Sequence, residues 1–350
     1  MTSVLGRLDG KGDSGACLMR EIDPFRGELL AYCYRMLGSM HDAEDVLQET
    51  MLRAWRGRSA FEGRSSLRTW FYRIATRACL TALERRDRRP LPVGLGGASA
   101  DPGGPLDARP EVPWLEPMPD AAIAHGSDPA EIIGGRAGIR LAFIAVLQHL
   151  TPRHRAVLIL RDVLCWQAAE VAELLDMTTI AVNSALRRAR DRLDGLSIAE
   201  QDLAEPSAAE QRAVLTQYVA AFEAKDVHAV VRLLAPDAVW EMPPFAAWYR
   251  GRRDVGRHLL ARCPGGPGDF RLRQTRANGA PCLAFYLFDG ATGDHRPFAL
   301  QTLTLGSAGI AHAVMFFDLR LFRVFDLPPS LPVIAGSGSG AVVPPAMDGR

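Results

Sequence analysis

Eleven arginines fall between Met51 and Arg89: Arg53, Arg56, Arg58, Arg64, Arg68, Arg73, Arg77, Arg85, Arg86, Arg88 and Arg89. Only three acids, Glu62, Glu84 and Asp87, share that stretch. A basic footprint of this kind points to a phosphate backbone as partner. A second arginine group, Arg187, Arg188 and Arg190, follows the segment Thr178-Thr179-Ile180. Just ahead of the first group stands DAEDVLQETMLRAW, residues 42–55, with Asp42, Glu44, Asp45 and Glu49. Carboxylates there would repel nucleic acid. Nucleic-acid binding alone therefore leaves them without a role.

Other chemistries are disfavoured. The six cysteines are scattered with no C-x-x-C pair, and the eight histidines form no H-x-x-x-H or H-E-x-x-H. Neither a metal centre nor a disulfide framework is expected, and no cofactor is implied. The chain has 350 residues, 48% hydrophobic and 23% charged, with a net charge of +1, so two or three globular domains are expected. No apolar run nears the roughly 18 residues of a membrane span. The N-terminus lacks a basic-then-apolar signal pattern, so a cytoplasmic protein is expected.

Helices must position these groups. Residues 1–89 read as all helical. Phe25 to Leu37 shows helical spacing and ends at Gly38-Ser39, and Ser39 with Asp42 predicts a capped start for the next helix. Ala43, Val46, Leu47, Thr50, Met51, Ala54 and Trp55 form its apolar stripe. A helix after Ser66 turns Leu67, Trp70, Phe71, Ile74, Ala75 and Ala78 inward. Arg68, Thr69, Tyr72, Arg73, Thr76 and Arg77 then face out. Residues 90–135 are rich in proline and glycine, predicting a linker without periodic structure, interrupted by a WLEP island at Trp114 to Pro117. Residues 136–200 predict helices again, among them a tight helical pair, Trp166 to Leu175 and Thr178 to Leu193, with the pattern of a helix-turn-helix. Val171, Ala172 and Leu175 would pack against Val182 and Leu186. Residues 208–328 predict helices followed by antiparallel strands, an α+β domain, and residues 329–350 a disordered tail.

DAEDVLQETMLRAWRG, SSLRTWFYRIATRACL and LTPRHRAVLILRDVLCWQAAEVAELLDMTTIAVNSALRRARDRL together resemble the extracytoplasmic-function sigma factors of the sigma-70 family. The third unit resembles a SnoaL-like domain of the cone-shaped, ketosteroid-isomerase-like fold, which a subset of these factors carries, and WLEP resembles a linker segment of that subset. The resemblance implies a multidomain chain: two all-α sigma domains, then the α+β cone. It implies that Asp45, Gln48, Glu49 and Arg53 dock on the β′ coiled coil of core RNA polymerase. It implies that Arg64, Ser65, Arg68, Tyr72, Arg73, Thr76 and Arg77 open and read the −10 element of promoter DNA. Thr178, Thr179, Asn183 and Ser184 with Arg187 would meet −35 bases, and Arg153, Arg155, Arg188 and Arg190 phosphates. The chain departs from many relatives at Cys165-Trp166-Gln167, where glutamine replaces a capping serine, and at Arg77, where asparagine is common.

Two readings of the third domain stand side by side. It could regulate the sigma domains in cis, with Trp114 docking the linker and the free protein a monomer. It could instead be a small-molecule enzyme or sensor with Trp240, Trp248, Tyr249 and Phe285 lining a pocket. Asp237, Glu241, His258, His295, His312 and Asp318 are then the polar candidates, and no constellation of them predicts catalysis. A ligand-responsive helix-turn-helix repressor is the alternative for the whole chain. It leaves the acidic helix without a role.

Overall fold

The computed structural model describes residues 23–58, 61, 63, 65–84, 88–122, 140–194 and 206–333. They divide into two compact units. The first draws on residues 1–89 and 116–198, so the two helical segments expected as separate domains share one unit. The second draws on residues 90–115 and 199–350.

The first unit is all helical. Helix α1, Arg26–Leu37, ends on Gly38, whose left-handed φ of 71° lets its N–H return to Tyr34 O. Residues 29–37 of α1 are all buried, because α2 (Met40–Gly57) and α3 (Leu67–Leu83) pack on it along with α4 (Leu141–Leu147) and α5 (Pro152–Leu158). Ser39 caps α2 by accepting from Asp42 N at 3.1 Å, as the sequence predicts. The second half of the expected cap comes from elsewhere. Glu116 Oε2 accepts from Ser39 Oγ at 2.9 Å, Met40 N at 2.9 Å and His41 N at 3.3 Å, while Asp42 pairs with Arg89. Ser66 caps α3 in the same way as Ser39, accepting from Thr69 N.

After α5 the chain makes a wide π-type turn, Ile159–Val163. Helix α6 (Ala168–Leu175) and helix α7 (Thr179–Asp194) follow, joined through Asp176, a left-handed residue at φ 54°. Aspartate tolerates that conformation better than most residues. Glu170 Oε2 reaches back to Gln167 N at 2.7 Å, so the start of α6 is satisfied despite the missing serine. Val171, Ala172, Val182 and Leu186 are buried as expected, with Leu174 rather than Leu175 as the fourth apolar anchor.

The second unit is α+β. Helices α8 (Ala208–Glu223), α9 (Val227–Leu233) and α10 (Arg252–Arg262) accompany strands β1 (Leu234–Glu241) and β2 (Trp248–Arg250). Strands β3 (Phe270–Ala277), β4 (Ala280–Asp289), β5 (Asp294–Gly306) and β6 (Gly309–Phe316) come next. A short helix α11 (Leu321–Val324) and a two-residue strand β7 (Leu331–Pro332) finish it. The sheet order is β2-β1-β6-β5-β4-β3, with β7 also on β5. The sheet is mixed, not wholly antiparallel as expected, because β1 and β6 run parallel. Asn278 and Gly279, both left-handed, make the tight β3–β4 turn. Gly309 is required: a Cβ there would lie 2.5 Å from Leu233 O. The expected tail from residue 334 onward lies outside the described residues, while Leu331 and Pro332 pair with β5.

The linker differs most from expectation, because residues 90–115 belong to the second unit. Val93 N donates to Glu241 at 2.7 Å, Trp248 Nε1 to Gly96 O at 2.9 Å, and Arg262 to Gly103 O at 2.7 Å. His258 Nδ1 bonds Pro102 O at 3.1 Å, and Ala108 bridges Phe245. Proline has no N–H to satisfy. A proline-rich segment is therefore held through its carbonyls and the amides of its other residues, such as Val93, Ser99 and Arg109, without periodicity of its own.

Candidate nucleic-acid interface

On α2, Asp45 and Gln48 are exposed, and Glu49 is half-buried and bonded to exposed Arg53 at 2.7 Å. The expected polymerase contacts thus share one accessible face. Two apolar side chains join them. Leu52 and Trp55 are each 48% exposed. Periodicity placed Trp55 on the buried stripe, and the stripe in fact ends at Ala54. Helical spacing cannot show where a neighbouring helix stops covering a face.

The outward face expected of α3 is largely covered. Tyr72 and Thr76 are buried, at 0% and 1% exposed. Tyr32 Oη and Thr76 Oγ1 lie 2.8 Å apart, and the Trp166 ring sits 5.0 Å from that of Tyr72. Burial pushes the Tyr72 phenol well up. Arg68 pairs with Glu28 at 2.7 Å, its guanidinium 5.4 Å from the Tyr72 ring centre and 5.6 Å from that of Trp166. Arg73 pairs with Glu173 on α6 at 2.8 Å, and Arg77 with Asp176 in the turn at 2.9 Å. Ser65 is half-buried, and Arg64 lies outside the described residues. Two neighbours cover this face: α1 engages Arg68, Tyr72 and Thr76 through Glu28 and Tyr32, and the helix-turn-helix covers Tyr72, Arg73 and Arg77 through Trp166, Glu173 and Asp176, so a helix read alone cannot disclose its cover.

The face of α7 is open. Thr178, Thr179, Asn183, Ser184, Arg187 and Arg188 are exposed. Thr178 Oγ1 caps the helix by accepting from Ala181 N at 3.1 Å. Arg153 is also exposed. Arg190 is held by Asp162 through two bonds, at 2.9 and 2.7 Å. Arg155 is not a surface cation. It is 3% exposed and donates to Met36 O, to Gln148 Oε1 at 2.9 Å and to Leu150 O at 3.3 Å. Burial lowers its pKa to about 10, so it stays charged at neutral pH. It braces α5 against the end of α1.

In the second unit, Trp240, Tyr249 and Phe285 are fully buried parts of one hydrophobic core. Trp248 is not with them. It pairs in register with Glu241, one residue on from Trp240, and so lies on the other face of the sheet. Of the six polar candidates, the structure joins Glu241 and His312 at 2.7 Å, with Glu241 fully buried. Asp318 pairs with Arg320, and His258 bonds the linker. Trp114 donates its indole N–H to Arg109 O at 2.9 Å, closing the linker on itself. The neighbouring Glu116 makes the stronger local clamp. Burial raises its carboxyl pKa, and the hydrogen bonds from His41 and Ser39 with the Arg89 charge more than offset that, leaving it below the ordinary value. Among the described residues no helix is long and apolar enough to cross a membrane.

Comparison with known proteins agrees with this layout. A Sigma-70 region 2 model matches residues 22–89, a Sigma-70 region 4 model residues 140–193, and a SnoaL-like domain model residues 215–312. The ECF RNA polymerase sigma factor SigG of Mycobacterium tuberculosis is 51% identical over 311 residues, covering 88% of this chain and 83% of that protein. The ECF sigma factor SigJ of the same organism is 28% identical over 262 residues, covering 73% of this chain and 76% of its own length. The crystal structure of SigJ superposes with a TM-score of 0.58 at 23% identity, over 89% of this chain and all of that one, and supports the fold. Arginine-rich helices, an acidic helix beside them and a fused cone domain thus have one account, and the chain belongs to the extracytoplasmic-function RNA polymerase sigma factors.

Proposed function

We propose that this sigma factor keeps its −10-reading face closed in the free protein while leaving its −35-reading helix open, and that the C-terminal domain modulates that state in cis through the linker. Asp45, Gln48, Glu49 and Arg53 would bind the polymerase β′ coiled coil, with Leu52 and Trp55 as apolar anchors of the same face. Tyr72, Arg73 and Arg77 would receive the −10 strand after region 4 swings away, with Ser65 and Arg68 beside them, while Thr76 stays engaged with Tyr32 on α1. Tyr72 would stack on an unpaired base and the arginines would track phosphates. Arg153, Arg187 and Arg188 would hold −35 phosphates and base edges, with Thr178, Thr179, Asn183 and Ser184 in the groove.

One observation carries the closed-and-opening reading. Tyr72 Oη, Arg73 Nε and Trp166 Nε1 are buried at this contact with no hydrogen-bond partner among the described residues. Each such atom costs about 1–3 kcal/mol. The Arg73–Glu173 and Arg77–Asp176 pairs are solvent-exposed enough that each returns only about 0–1 kcal/mol. The contact is therefore poorly satisfied, and polymerase binding can open it at modest cost. The double variant Glu173→Lys, Asp176→Lys places like charges against Arg73 and Arg77. It is expected to bind a single-stranded −10 oligonucleotide several-fold more tightly than the parent in fluorescence anisotropy. Equal affinities would refute the closed reading.

The linker supports the cis role. Residues 90–115 are bonded to the cone domain, and Leu115 leads directly into Glu116, whose carboxylate accepts from the first amides of the helix proposed to bind polymerase. A catalytic reading of the cone domain has less support, since the Glu241–His312 pair is already engaged by the Val93 amide.

A further inference from the structure

Helix α7 carries one side chain that polar base recognition does not use. Ile180 is 78% exposed, the highest exposure among the large hydrophobic residues described. A lone exposed aliphatic residue ordinarily needs no explanation. This one stands in the first turn of the second helix of a helix-turn-helix, where side chains meet base edges. Its neighbours one turn on, Asn183 and Ser184, and Arg187 two turns on, are all exposed too. The spacing 180, 183, 184, 187 is a single helical face. The opposite face, Val182, Ala185, Leu186 and Ala189, is buried and fixes the helix rotation. Ile180 is thus held outward by packing behind it, at the N-terminal end of the polar face expected to enter the groove.

Only one group on the major-groove edges of DNA is apolar: the C5-methyl of thymine. We infer that Ile180 is a specificity-determining residue that selects thymine in the −35 element by packing on this methyl, ahead of the hydrogen-bonding contacts from Asn183 and Arg187 further along the same helix face. The inference rests on the assignment of α7 to the −35 element and adds to it a base identity and an apolar mechanism. Asn183 and Arg187 can hydrogen-bond purines. Ile180 would reject cytosine, which offers an N4 amino group and no methyl there.

The test uses full-length protein with core polymerase. A −35 element is first selected from a randomised library by the holoenzyme. Each thymine of that element is then replaced singly by deoxyuridine, which deletes only the methyl. Burying one methyl contributes about fourfold in affinity. One replacement should therefore weaken holoenzyme binding by about fourfold, and with Ile180→Ala that difference should vanish. The alanine substitution is on an exposed helix position and leaves the fold intact. A selected element without thymine opposite the start of α7, or deoxyuridine penalties identical in parent and Ile180→Ala, would overturn the inference while leaving −35 recognition standing. A holoenzyme indifferent to the −35 sequence would overturn the parent assignment as well.

Discussion

Two arginines two residues apart, Arg153 and Arg155, show how differently one residue type can serve. In sequence both stand at the start of a helix before a DNA-reading motif, and both suit a phosphate. Arg153 is exposed, whereas Arg155 is buried with three acceptors around it. Arg155→Ala would strand those acceptors and leave a cavity. It should destabilise the first unit by on the order of 3 kcal/mol, read as a lower midpoint in denaturant, with the salt slope of DNA binding unchanged. Arg188→Ala should do the reverse: no loss of stability, and a salt slope of −35 DNA binding reduced by about one. A shared phenotype for the two would contradict the separation. Tyr72 makes the same point. Its type suits base stacking, and its accessibility in the free protein is set by Tyr32 and Trp166, 40 and 94 positions away in the chain.

At the scale of elements, the acidic helix is the most legible part and also the one most dependent on a distant partner. Its Ser39 cap and its Asp45 face follow from local pattern. Its first backbone amides are satisfied by Glu116, a residue that local pattern could only mark as part of an unusual island. Because Glu116 has a pKa below the unfolded value of 4.5, it stabilises the fold at pH values above 4.5. That stabilisation is lost as pH falls through the lower folded value. Glu116→Gln should therefore lower the melting temperature near pH 7, and the gap to the parent should close as the pH drops below 4.5. A gap constant across that range would rule out the carboxylate as the source. The helix dipole acts in the same direction, since a carboxylate is favoured at a helix N-terminus.

At the scale of the molecule, the two surfaces proposed to read DNA have opposite fates in the same unit: the α3 face is covered and the α7 face is exposed. This asymmetry predicts an order of events in which −35 contact does not require opening and −10 contact does. The cone domain and its linker are the candidate controllers. Removing residues 208–350 frees the linker that leads to Glu116. In reconstituted transcription with core polymerase, the truncation should change promoter-specific initiation from the −10-dependent step while leaving affinity for a −35 duplex unaltered. Identical initiation by both forms would defeat cis modulation.

Sequence alone determined which chemistry was present and where its elements lay. The arginine footprint, the acidic helix, the helix-turn-helix and the α+β character of the last domain follow from charge distribution, capping residues and apolar periodicity, all of which act within a few turns of chain. Tertiary structure decided which of those groups face solvent. Tyr72, Thr76 and Arg155 were withdrawn by packing, Trp55 and Ile180 were left outside, and Trp248 fell on the opposite side of the sheet from Trp240. The mixed sheet and the bound linker belong to the same class, because parallel pairing of β1 with β6 and the grip of Glu241 on Val93 join residues scores of positions apart. Periodicity reports a face. Which neighbour covers that face depends on contacts made across the whole chain, and no local pattern encodes them.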